Sequence, residues 1–128
     1  MKLRTTHNSI RIRVRKSELE RLKKDEVIEE SIVFPNNTAF KFALVIEDIE
    51  PDLSATLQDN YLKLSIAKAA GKQWINTSEV GIESTIKLPK GESLHLLVEK
   101  DFPCLDRANE DKQDTFWELA SDNKPDGC

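Results

Sequence analysis

A chain of 128 residues is long enough to bury one hydrophobic core without metal or disulfide staples. Its hydrophobic share of 38% and charged share of 33% exclude a disordered polymer and describe a folded body with a polar excess. Neither a signal-peptide run nor the ~18 consecutive apolar residues of a membrane span occurs, so the expectation is a cytoplasmic protein with no membrane partner.

The formal charge of −4 is unevenly spread. Residues 1 to 24 carry nine basic and two acidic side chains, residues 25 to 60 carry nine acidic and one basic, and residues 106 to 128 carry seven acids and three bases. The first half therefore splits into a cationic and an anionic segment, and the net acidity belongs to the C-terminal tail.

Ser9-Ile-Arg-Ile-Arg-Val-Arg15 alternates apolar and basic residues. That period of two predicts a half-buried strand with Ile10, Ile12 and Val14 on one face and Arg11, Arg13 and Arg15 on the other. Ser17-Glu18-Leu19-Glu20 reads as a capping box, Ser17 accepting from a free backbone N–H and Glu20 reaching back, which opens a short helix ending near Asp25. Val27 to Phe34, the turn Pro35-Asn36-Asn37 and Ala39 to Ile46 predict a hairpin. Leu53 to Leu57 and Tyr61 to Ile66 predict another around Gln58-Asp59-Asn60, Ala67 to Trp74 a short helix, and Val80 to Leu88 with Ser93 to Lys100 a further hairpin around Pro89-Lys90-Gly91.

The halves align on each other. Ile10, Ile12 and Val14 fall on Leu62, Leu64 and Ile66 at an offset of 52, and Leu22 falls on Trp74. After a two-residue insertion the offset is 54, so that Ile28, Ile32, Pro35, Phe40 and Phe42 meet Ile82, Ile86, Pro89, Leu94 and Leu96. This self-similarity implies two β-β-α-β-β units and an α+β fold: an antiparallel-rich curved sheet or open barrel with short helices over its apolar face. The expected organisation is one duplicated domain over 1–105 and an acidic, mobile tail over 106–128, with Phe116-Trp117 docking back on the body.

Asn8-Ser-Ile-Arg-Ile-Arg13, Lys16-Ser-Glu-Leu19, Leu53-Ser-Ala55, Val80-Gly-Ile-Glu83 and above all Leu97-Val-Glu-Lys-Asp-Phe102 with Cys104-Leu-Asp106 resemble a small bacterial family of uncharacterised proteins. The resemblance implies the boundaries of the body and carries no activity with it.

Chemistry-bearing residues are few. Cys104 and Cys128 stand apart with no Cys-x-x-Cys pair and no histidine at ligand spacing, so neither a metal site nor a cofactor is expected. His95, Glu99 and Asp101 share one strand face, where they are either a solvated surface or a set fit for acid–base work or cation binding. Arg11, Arg13 and Arg15 repel one another unless acids or an anion lie opposite. Together with Lys63 of the repeat-related strand they would suit a phosphate-type anion. Nucleic acid is disfavoured, because residues 1 to 105 are neutral overall and few aromatics interleave with the arginines. The first expectation is a non-catalytic binding or interaction protein whose partner is another protein or an anionic small molecule, with edge strands open to a homodimer. The alternative is an enzyme or sensor for an anionic small molecule; it requires the arginines and His95 to converge on one concavity.

Overall fold

A computed structural model describes residues 1–102 and 114–119. In chain order the elements are β1 (Lys2–Thr6), β2 (Ser9–Val14), α1 (Lys16–Asp25), β3 (Val27–Val33), β4 (Ala39–Glu47), β5 (Leu53–Gln58), β6 (Tyr61–Ala67), α2 (Lys68–Asn76), β7 (Gly81–Lys87), β8 (Ser93–Lys100) and a 3-10 turn at Trp117–Leu119. The fold is mixed α+β and dominated by strands. The periodic segments, the turn clusters and both helices fall where the sequence places them; β1 is additional, since Lys2-Leu-Arg-Thr-Thr6 has no apolar alternation.

The strands form two four-stranded sheets, ordered β1-β2-β8-β7 and β3-β4-β6-β5, and close no barrel. Alternation predicts one curved sheet or open barrel, but alternation decides which face is apolar and not which strand lies alongside. Each sheet is two antiparallel hairpins joined through a parallel central pair, β2 with β8 and β4 with β6. Each sheet thus takes one hairpin from each half of the chain.

Backbone hydrogen bonds outside the ladders recur between the halves. His95 N–H donates to Asn8 O and Lys41 N–H to Asn60 O, both at 3.0 Å. Lys100 donates to Val80 and Ile46 to Glu26, both at 2.9 Å, and Phe34 donates to Thr38 and Leu88 to Glu92, both at 2.8 Å.

One apolar cluster joins the two sheets to the helices. Ile12 and Val14 of β2, Leu96 and Val98 of β8, Leu44 of β4 and Leu62, Leu64 and Ile66 of β6 meet Leu19 and Leu22 of α1 and Trp74 of α2. Each such side chain stabilises the fold by about 1.5–3 kcal/mol relative to exposure. Trp74 is fully buried and satisfies its indole N–H on the Val80 carbonyl at 2.9 Å.

The start of α1 differs from the expected capping box. Arg15 holds the N-cap position and Glu18, not Glu20, reaches back to accept from the Arg15 N–H at 2.8 Å. Ser17 lies inside the helix, where its N–H and hydroxyl both donate to the Asp114 carboxylate, at 2.7 and 2.6 Å. Segment 114–119 is therefore docked on the body: Thr115 and Phe116 are buried, Phe116 N–H donates to Asp101 O at 2.7 Å, and Trp117 is exposed. Cys104, Cys128 and the rest of the expected tail lie outside the described residues.

Candidate functional site

Strand register puts most of the singled-out side chains on one face of the β1-β2-β8-β7 sheet. In the parallel pair Ser9 lies opposite His95, Arg11 opposite Leu97 and Arg13 opposite Glu99. Across the β1–β2 hairpin Lys2 faces Arg13 and Arg4 faces Arg11, and across β7–β8 Glu83 faces Leu97 and Gly81 faces Glu99. The opposite face holds Ile10, Ile12, Val14, Leu96 and Val98, which the core consumes.

At the C-terminal ends of β2 and β8 the charges neutralise one another. Arg13 Nε donates to Glu99 Oε1 at 2.6 Å, with both side chains close to fully buried, and the guanidinium stacks 5.3 Å from the centroid of the Phe102 ring. Gly81 makes room for Glu99: a Cβ on it would lie 2.6 Å from the Val98 carbonyl oxygen and 3.0 Å from Glu99 Cβ. Lys2 Nζ lies 3.0 Å from Asp101 Oδ2, and Asp101 Oδ1 is buried with no hydrogen-bond partner among the described residues. Arg15 turns to Asp114, Nε to Oδ2 3.3 Å. Arg13, Arg15, Glu99 and Asp101 thus each have an ion-pair partner within the chain. Lys100, on the apolar side, donates to Thr77 O at 2.6 Å and lies over the Phe116 ring, and burial holds its ammonium below the ordinary lysine range.

At the other end of the same face the structure forms a cleft of about 290 Å³ lined by Arg4, Thr6, Ser9, Arg11, His95 and Leu97. Arg11 is half-buried and its Nε is 3.5 Å from Glu99 Oε1. His95 Nε2 is 2.5 Å from Glu83 Oε1, both side chains reaching solvent. Arg11 and His95 thus meet in one concavity, joined by Arg4, which sequence reasoning passed over. The signal for Arg4 is the same 52-residue offset that pairs the halves, since it sets Lys2–Thr6 on residues 54–58 of the strand-forming segment that is β5.

Lys63 does not join this group. It lies on β6 in the other sheet, 3.3 Å from Glu47 Oε1, and lines a separate cleft of about 500 Å³ with Lys41, Thr56, Gln58, Asp59 and Tyr61. The Ser65 hydroxyl donates to Glu47 at 2.6 Å; that bond first, then Lys63, outweighs burial and holds the Glu47 carboxyl below its ordinary range. The Tyr61 hydroxyl donates to Glu29 at 2.7 Å, which raises its pKa. Among the described residues no three His, Cys, Asp or Glu side chains group as a metal site, and no helix is long and apolar enough to cross a membrane.

This chain belongs to the family of unknown function DUF7009, whose model matches residues 1–119. No curated protein and no solved structure matches it.

Proposed function

We propose that this chain is a non-catalytic binding protein for a small phosphate-type anion, built from two ββαββ units and holding the anion in the cleft between Arg4, Arg11 and His95. The observation that carries the reading is the direct cross-strand pairing of Arg4 with Arg11 in a cleft that His95 completes from the neighbouring parallel strand. Like charges directly opposite on a sheet repel, and an oxyanion between them turns that repulsion into two charge-assisted donors. Guanidinium groups present planar forks that match tetrahedral oxyanions; Arg11 stands on a strand paired on both sides, and Arg4 on the edge strand that pairs with it. Duplication is supported by the coincidence of pairings and turn hydrogen bonds at the two offsets, and by the exchange of hairpins between the sheets.

Thermal shift at constant ionic strength tests this with phosphate, tripolyphosphate and nucleotides. An anion present at 100 times its Kd raises stability by about 2.7 kcal/mol, roughly 10 °C for a domain of this size. Arg11→Gln and Arg4→Gln are expected to abolish that rise while leaving the unliganded melting point within a few degrees. Arg13→Gln is the wrong probe, because it breaks a buried ion pair. Absence of a shift with every anion overturns the reading.

A second reading rests on the His95–Glu83 contact, which places a histidine backed by a carboxylate at the rim of the same cleft. An enzyme or sensor acting on the anion would use His95 for proton transfer, with Glu99 and Asp101 excluded by their own ion pairs. Phosphate release from tripolyphosphate, lost in His95→Gln with anion binding retained, would favour catalysis over binding alone.

A further inference from the structure

The cleft on the second sheet repeats the first at the level of the backbone. The turn Thr6-His7-Asn8-Ser9 corresponds to Gln58-Asp59-Asn60-Tyr61: His7 and Asp59 are both at φ 51°, while Asn60, at φ 63°, is left-handed where Asn8 is not. Asn8 O accepts from His95 N–H, and Asn60 O accepts from Lys41 N–H, at the same 3.0 Å. Arg11 of β2 corresponds to Lys63 of β6, and His95 of β8 to Lys41 of β4, so two basic residue types occupy matching positions across each parallel strand pair. Each inner cation also leans on a carboxylate of the neighbouring strand: Arg11 on Glu99 at 3.5 Å, Lys63 on Glu47 at 3.3 Å.

Resting on the reading of the first cleft, we infer that the cleft formed by Lys41, Lys63 and the Gln58–Tyr61 turn is a second, weaker site for the same phosphate-type anion, so that each half of the chain supplies one turn and each sheet holds one anion. Lysines replace the guanidinium forks, and each delivers a point charge with rotatable donors, not a bidentate grip. Thr56 stands where the first cleft has Arg4, and Asp59 on the turn adds an acid. Lys63 shares its charge with Glu47, whereas Lys41 is exposed and has no ion pair among the described residues. These differences weaken the second site without removing its two cations. The Thr56 and Gln58 side chains line it with neutral hydrogen-bonding groups that accept an anion at no electrostatic cost.

A titration of the full chain with sodium tripolyphosphate, followed by amide NMR at constant ionic strength, separates the two sites. Two groups of signals are expected to move: Asn8, Ser9, Arg11 and His95 at lower concentration, and Lys41, Asn60, Tyr61 and Lys63 at several-fold higher concentration. Lys41→Gln, whose fold is checked by unchanged signal dispersion elsewhere, is expected to raise the apparent Kd of the second group at least tenfold and leave the first group unchanged. Lys41→Arg is expected to restore it. Movement of the first group alone overturns the second site and leaves the first standing. Movement of the second group alone refutes the reading of the first cleft, and movement of neither refutes both.

Discussion

Arg11 and Arg13 are two positions apart on one strand face, yet their surroundings assign them different work. Arg13 is 8% exposed and bonded to a Glu99 that is itself buried, so its removal strands a carboxylate away from water. Breaking such a pair from one side costs about 3–5 kcal/mol, toward the lower end here because Arg11 stays within reach of Glu99. Arg13→Ala is therefore expected to lower the urea unfolding free energy by about 3 kcal/mol, and Arg13→Met with Glu99→Leu to recover most of the loss, because an apolar pair of similar volume has no charge to strand. Arg11→Ala, from a half-exposed position, is expected to cost about 1 kcal/mol or less. Equal losses for Arg11→Ala and Arg13→Ala would contradict this division. No local pattern in the sequence distinguishes the two arginines, because the partner that does so lies 86 residues away on a strand brought alongside by a parallel pairing.

The start of α1 shows how one element depends on a distant segment. Burial pushes the Asp114 carboxyl toward neutrality, but the Ser17 hydroxyl and N–H and the charges of Arg15 and Lys16 prevail and hold its pKa below the ordinary 3.8. A carboxylate depressed in the folded state contributes stability above its unfolded pKa, and that contribution disappears as pH falls through the lower folded value. Wild type is expected to exceed Asp114→Asn by about 1 kcal/mol near neutral pH, the scale of a helix cap, and the gap between their urea midpoints is expected to close on acidification. A gap independent of pH would mean that packing of Phe116, not the carboxylate, holds the segment. Periodicity in Ser9–Arg15, Ala39–Ile46 and Tyr61–Ile66 made the inner strands legible, since each buries one face. The sequence pattern places the cap two positions late, at Ser17 and not Arg15, because Ser17, an apt N-cap residue, spends its hydroxyl on Asp114, a contact 97 residues distant. At Gly81, Ala is expected to destabilise by more than the ~1 kcal/mol typical of point substitutions and to weaken the Arg13–Glu99 pair, since its Cβ meets backbone that cannot move aside. The urea midpoint of Gly81→Ala, compared with that of Gly71→Ala, whose Cβ would meet side-chain atoms alone, Ile66 at 3.2 Å and Ile46 at 3.5 Å, checks this.

At the scale of the whole molecule, the exchange of hairpins decides what each half can do alone. The β1-β2 hairpin is completed by β8-β7, and β3-β4 by β6-β5, so a half cut after Glu50 keeps its local turns and helix but exposes the inner edges of β2 and β4. Those edges carry the most apolar segments, among them Ile12, Val14, Phe42 and Leu44, which the full chain buries to below a tenth exposed. Some 50 residues without these pairings have too little buried apolar area to offset the entropy of ordering, about 1–2 kcal/mol per residue for the backbone alone. Residues 1–50 and 51–128, each produced separately, are therefore expected to show little protection in amide exchange, and their equimolar mixture to regain the slow exchange of β2, β4, β6 and β8. Because both halves present the same order of strands, self-pairing, β2 of one copy against β4 of another, competes with the mixed pair, and an excess of one fragment is expected to slow recovery. If either half alone protected its own β2 or β4 amides as a monomer, the strands would be stabilised within one unit and the pairing between halves would not be what holds the two sheets together.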